Sequence, residues 1–284
     1  MSVYDDTVCQ LGEGPMWHPG INQLFWFDIL GNRLYTRKGD TLQHWQFAEN
    51  VSAAGWVDDG TLLIASESAL FRFDLATGAR TDLVALEADN PLTRSNDGRA
   101  DPQGGFWIGT MAKDEAAGAG AIYRYYKGEL RLLYPRISCP NAMCFTPDGR
   151  FAHYTDTGTY KVMKQALDGD GWPAGAPVVW LDLTAQGTYP DGAVVDAAGV
   201  MWLAQWGAYR VAAYDPQGVF LRDVRFGAAQ TSCPAFGGAD GMTLFCTSAT
   251  KTLAAAQLAA EPDNGKTFAA TGIAKGQREH QVIL

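Results

Sequence analysis

The sequence is poor in the features that mark several large protein classes. Cysteines number five, Cys9, Cys139, Cys144, Cys233 and Cys246, an odd count with no C-x-x-C spacing. That fits reduced thiols, as in a cytoplasmic protein, better than a disulfide framework. The four histidines, His18, His44, His153 and His280, are scattered, which argues against a histidine-rich zinc site. Basic residues are outnumbered, with 22 Lys and Arg against 31 Asp and Glu and a formal charge of -9. No basic cluster offsets this, so nucleic acid is not an expected partner. No apolar run approaches the roughly 18 residues of a membrane span. The N-terminal stretch MSVYDDTVCQLGEG lacks a cationic start and an apolar segment, and so does not read as a secretory signal.

What the 284 residues do have is 47% hydrophobic content, enough for a large core, and a repeat. Turn glycines precede short apolar runs at Gly20, Gly60, Gly104, Gly149, Gly199 and Gly241. The runs are LFWFDI, TLLIAS, GFWIGT, RFAHYT, VMWLAQ and MTLFCT, each followed by a second run such as RLYTR, LFRFD or TLAAAQ. Aromatic and β-branched enrichment between turn residues predicts antiparallel meanders. A period of about 44 residues is the size of one propeller blade. The expectation is an all-β, six-bladed β-propeller, one domain over residues 1–284. A two-sheet sandwich is the alternative that the regular glycine spacing disfavours. Closure predicts that a strand near Val3–Gln10 pairs with the last blade. The alanine-rich stretch Leu253–Ala260 looks helical in composition but falls where blade six needs strands, so a strand is expected there.

The repeats share a register. Equivalent turn positions are Pro19, Asp58, Pro102, Pro147, Ala197 and Ala239. Six residues earlier stand Glu13, Ser52, Asn96, Asn141, Asp191 and Cys233. These should share one place at the start of each innermost strand, ringing one mouth of the central channel. For any single member, capping of a turn is the plainer explanation; the gathering of acids and amides at one end favours a ligand site. Two carboxylates and one or two amides are hard oxygen donors, suited to Ca²⁺, Mg²⁺ or Mn²⁺ and less specifically to Zn²⁺.

The stretches L-G-E-G-P-M-W (11–17), R-S-N-D-G-R-A-D-P-Q-G-G-F-W-I-G-T-M (94–111), P-N-A-M-C-F-T-P-D-G (140–149), Y-T-D-T (154–157), Y-P-D-G-A-V-V-D (189–196) and A-F-G-G (235–238) resemble the senescence marker protein/regucalcin/gluconolactonase family. The resemblance implies a six-bladed propeller that hydrolyses sugar-acid lactones with one divalent metal, of the Ca, Zn, Mn, Mg or Fe group. It implies Glu13, Asn141 and Asp191 as metal ligands, Asp191 also as general base, and Arg94 and Asn96 as substrate contacts. A surface salt bridge is the alternative for Arg94. A substrate-touching Glu that some members carry after G-T-M has Asp114 at its place here, with Glu115 able to substitute. The loop 112–121 is a candidate lid or a solvated loop. Cys233 reads as pocket lining rather than a nucleophile, and Trp206 as a sugar-stacking or packing residue. The expected partner is a small sugar lactone, and the expected assembly a monomer or weak homo-oligomer. Hydrolysis of other esters or organophosphates, or a non-enzymatic calcium-binding or docking propeller, are the alternatives.

Overall fold

A computed structural model describes all residues from Met1 to Leu284. It contains six four-stranded antiparallel sheets. The innermost strands are Gly12–His18, Val51–Asp58, Thr93–Ala100, Pro140–Phe145, Tyr189–Val195 and Gln230–Gly237. Each touches the next, and the last touches the first, so the sheets are the six blades of a closed β-propeller. No helix is long and apolar enough to cross a membrane.

Burial falls from the axis outward. Thr93–Ala100 is buried at every position, whereas the outermost strand of blade one, Thr41–Gln46, is exposed at five of its six residues. The core lies between the faces of adjacent blades. One cluster joins Phe25 and Phe27 of blade one to Leu62, Ile64, Phe71 and Phe73 of blade two.

Blade six closes the ring as expected, over a shorter segment. Ser2–Asp5 supplies its outermost strand and pairs with Thr267–Ala270. The expected strand over Leu253–Ala260 is not formed. Ala255–Ala260 is an α-helix with no buried residue, and the third strand of the blade is Thr267–Ala270. Phe268 explains the choice: paired with Cys246 it is fully buried, whereas Ala255–Ala260 holds four alanines, which add little apolar area to a sheet and favour helix.

The C-terminal segment crosses the end of the channel away from the strand starts. Gln277 Nε2 donates to the carbonyls of Phe145 (3.0 Å) and Val195 (2.8 Å). The Val282 N–H donates to Trp56 O, and the Val282 side chain is buried beside Phe106 and Ala100. Arg99, pointing down the channel from blade three, pairs with Glu279 at 2.7 Å.

Candidate active site

The six register positions sit at one irregularity of the fold. Pairing between the first and second strands shifts beside each of them: between Glu13 and Met16, Val51 and Ala53, Ser95 and Gly98, Asn141 and Cys144, Pro190 and Ala193, and Thr231 and Pro234. Such bulges bend a strand and re-aim its side chains. In blades one and four the following residue, Gly14 (φ 52°) or Ala142 (φ 56°), adopts the left-handed conformation. At Gly14 a Cβ would stand 2.2 Å from Ser52 O, so only glycine fits.

The chain entering these strands is anchored by the last residue of the second strand. Asp28 accepts from the N–H groups of Gln10 (3.0 Å) and Leu11 (2.9 Å), two residues ahead of Glu13. Asp156 accepts from Ser138 (3.0 Å) and Cys139 (2.9 Å), two residues ahead of Asn141. The same device therefore fixes two of the candidate ligands.

Glu13, Arg94, Asn96, Asn141 and Asp191 line one cavity of about 430 Å³. All five are nearly buried, at 3 to 5% exposure. Asn141 donates through Nδ2 to Thr157 Oγ1 (2.9 Å), and Thr157 donates to Pro190 O (2.9 Å). That chain ties the amide to the backbone next to Asp191. Asn141 Oδ1 accepts from Asn96 Nδ2 (3.2 Å), which also reaches Pro140 O (2.9 Å). Arg94 Nη1 donates to Ser95 O (2.9 Å) and Asn96 Oδ1 (2.8 Å), so Arg94 is a buried cavity residue and not a surface salt bridge.

The carboxylates are poorly compensated. Burial, and then the charge of Asp97, push Glu13 up to about 8. Burial, then the charges of Glu13 and Asp97, raise Asp191 well above the usual carboxylate range. Glu13 receives the Gly14 N–H at 3.1 Å, and Asp191 that of Gly192. Arg94 and Lys251 are the cations that act against these shifts. Asp97 completes the acidic interior and accepts from the Met143 N–H at 2.9 Å.

A hard divalent cation fits this donor set. No group of three His, Cys, Asp or Glu side chains gathers as a metal site; the candidate set is a carboxylate, an amide oxygen and a second carboxylate. Two buried carboxylates of raised proton affinity, with Glu13 adding to the shift of Asp191, are the environment that a bound cation would relieve.

Three expectations change. Asp114 is exposed and outside the cavity, with its carboxylate accepting the Ala116 N–H at 3.1 Å. Glu115, in the left-handed region at φ 65°, lines the cavity instead and pairs with Lys251 across the opening. Ser52 and Cys233 are fully buried and do not line the cavity: Ser52 Oγ donates to Ser95 Oγ at 2.8 Å, and Cys233 packs beneath Gly192. Burial and nearby acids raise the Cys233 thiol well above its ordinary value, so it is held protonated and unreactive. Trp206 lines the cavity and also packs against Leu11, Ile29 and Ala249. The loop 112–121 is tied at its rim by Lys113 to Glu67 (3.0 Å) and by the Gly118 N–H to Ser138 Oγ (3.0 Å). Sequence reasoning assigned no role to Thr157, Lys251 or Tyr189, which reach the cavity from turns and strand ends of three different blades.

Residues 11–250 match the family described as SMP-30/Gluconolactonase/LRE-like region. The chain belongs to this family. It is 36% identical over 278 residues to the L-arabinolactonase of Azospirillum brasilense, covering 93% of this chain and 89% of that one. It is 31% identical over 266 residues to the 6-deoxy-6-sulfogluconolactonase of Pseudomonas putida, covering 91% and 90%. Among solved structures it is similar to the calcium-binding protein regucalcin from Agrobacterium tumefaciens, with a TM-score of 0.97, 38% identity and coverage of 100% and 97%.

Proposed function

We propose that this protein hydrolyses the lactone ring of a sugar acid, using Glu13, Asn141 and Asp191 to hold a divalent cation. The observation that carries the reading is the pair of buried, mutually repelling carboxylates beside Arg94 in one cavity. The names of the lactonase relatives support the substrate class. When bound, the cation would supply Lewis-acid polarisation and lower the proton affinity of water.

The chain's own residues then have defined tasks. Asp191 takes a proton from the attacking water as general base. Arg94 donates to the oxygen on which negative charge grows; both of its recorded bonds use Nη1, so its other nitrogens remain for substrate. The carbon–oxygen bond of the ring breaks, and the leaving ring oxygen takes back the proton held on Asp191, giving the free hydroxy acid. Asn96 presents its amide to the substrate hydroxyls, and Trp206 walls the cavity.

The test is acid release from pentono- and hexonolactones by metal-stripped protein, with Ca²⁺, Mg²⁺, Mn²⁺, Fe²⁺ or Zn²⁺ restored in turn. Opening above the spontaneous rate that depends on added metal and vanishes in Asp191→Ala is expected. Opening of aryl esters or phosphotriesters with no sugar lactone turned over would replace the substrate class. Stoichiometric calcium binding with no hydrolysis at all would overturn the enzymatic reading.

A further inference from the structure

Five of the six blades place a large apolar side chain at one position of the second strand. The residues paired with Met16, Gly55, Arg99, Val194 and Ala235, each facing the next blade, are Phe25, Leu63, Trp107, Trp202 and Phe245, all buried. Blade four has His153 there, paired with Cys144. His153 is 4% exposed, and neither ring nitrogen has a hydrogen-bond partner. A neutral imidazole carries one N–H donor and one lone pair, and burying both unpaired is unfavourable.

The ring faces a cleft of about 410 Å³ between blades four and five, at the end of the strand away from Asn141. The cleft shares no lining residue with the cavity at the channel mouth. His153 pairs with Lys164 across the sheet, and alternation puts Phe151 on the same face. The Trp180 ring lies 4.8 Å from that of His153, centroid to centroid, and its Nε1 donates to Pro216 O at 3.0 Å, which fixes the ring. Lys164 Nζ lies 4.2 Å from the centre of the Phe151 ring and makes no ion pair. Arg150, on the rim, is already paired with Asp148 at 2.7 Å. Val195 and Met201 of blade five form the opposing wall.

We infer that this cleft is a second binding site, for a small hydroxycarboxylate, with the carboxylate on Lys164, the hydroxyl on His153 and the carbon chain against Trp180. An unpaired ammonium at an apolar wall selects an anion. A neutral imidazole with a free donor and a free acceptor suits a hydroxyl, which can serve either. Burial and the Lys164 charge push His153 down to about 3, so the ring stays neutral near pH 7. The acid released by lactone opening is itself a hydroxycarboxylate, but the site's chemistry does not depend on that reaction.

The experiment follows the imidazole signals of the full-length protein by nuclear magnetic resonance, with His153 identified by its absence in His153→Phe. The probes are glycerate, a pentonate, propionate and glycerol. Glycerate is expected to move the His153 signals saturably, in wild type and Asp191→Ala alike. Lys164→Met, a substitution at the cleft rim, is expected to weaken the response about tenfold through loss of a charge-assisted hydrogen bond. A pentonate response separate from Asp191→Ala effects would assign the site to the sugar acid; a glycerate response alone would assign it to smaller acids. His153 signals that ignore both acids, that respond equally in Lys164→Met, or that respond equally to propionate or glycerol would overturn the inference.

Discussion

The two ends of the central channel carry similar residue types and treat them in opposite ways. At the far end, Arg99 and Glu279 pair at 2.7 Å, and Arg99 Nη2 donates to Pro234 O at 3.3 Å. At the mouth, Glu13 and Asp191 are as deeply buried and line one cavity, yet neither has an ion-pair partner. Burying charge is unfavourable in both places. The far end recovers that cost within the chain, and so its charges serve the fold. The mouth does not recover it, which is the mark of a site kept for a ligand.

The largest expected effect falls at the mouth. Asp191→Ala should lower lactone opening by about 10³-fold, the range for losing a general base, while thermal melting shows the fold retained. Arg94→Lys keeps the charge but loses the planar fork, and should lower kcat/KM by about 10²-fold, read from steady-state kinetics. At the far end the balance reverses. Glu279→Ala leaves Arg99 buried and unpaired and should cost about 3 kcal/mol in urea unfolding, with little change in kcat for the folded protein. A double replacement, Arg99→Met with Glu279→Leu, should recover much of that loss.

A smaller effect concerns acid stability. His153 titrates near 6.5 when unfolded and at about 3 when folded, so the folded state binds fewer protons between these values. Its contribution to stability is fully present above pH 6.5 and is lost as the pH falls toward 3. His153→Phe should therefore flatten the acid limb of unfolding free energy by up to about 1.4 kcal/mol per pH unit in that window. The smallest effect distinguishes neighbours on the rim. Asp114→Ala, at an exposed position, should leave KM within about twofold, since such surface changes rarely exceed ±0.5 kcal/mol. Glu115→Gln, which breaks the contact with Lys251 over the cavity, should change KM more.

What the sequence disclosed followed from repetition. A constant step of six residues located Glu13, Asn96, Asn141 and Asp191 because the innermost strand of every blade carries a bulge near its start, although the turns that follow differ in length. The step also selected Ser52 and Cys233, since register specifies a place on a strand and not whether the bulge turns that side chain toward the cavity. At Leu253–Ala260 register points to a strand and composition to a helix; the strand is decided by Phe268, eight residues beyond Ala260. Asp114 and Glu115 differ by one position in a loop with no period, so alternation gave no guide to which faces inward. Thr157 and Lys251 act from different blades, and only the closed ring brings them together.

The most direct test of the contrast between the two ends is calorimetric titration of Ca²⁺ or Mn²⁺ into metal-stripped wild type, Glu13→Gln and Glu279→Gln. One cation per chain is expected in wild type and in Glu279→Gln, with binding lost or weakened by at least about tenfold in Glu13→Gln. Equal binding in wild type and Glu13→Gln, or loss of binding only in Glu279→Gln, would contradict the assignment of the mouth as the ligand end.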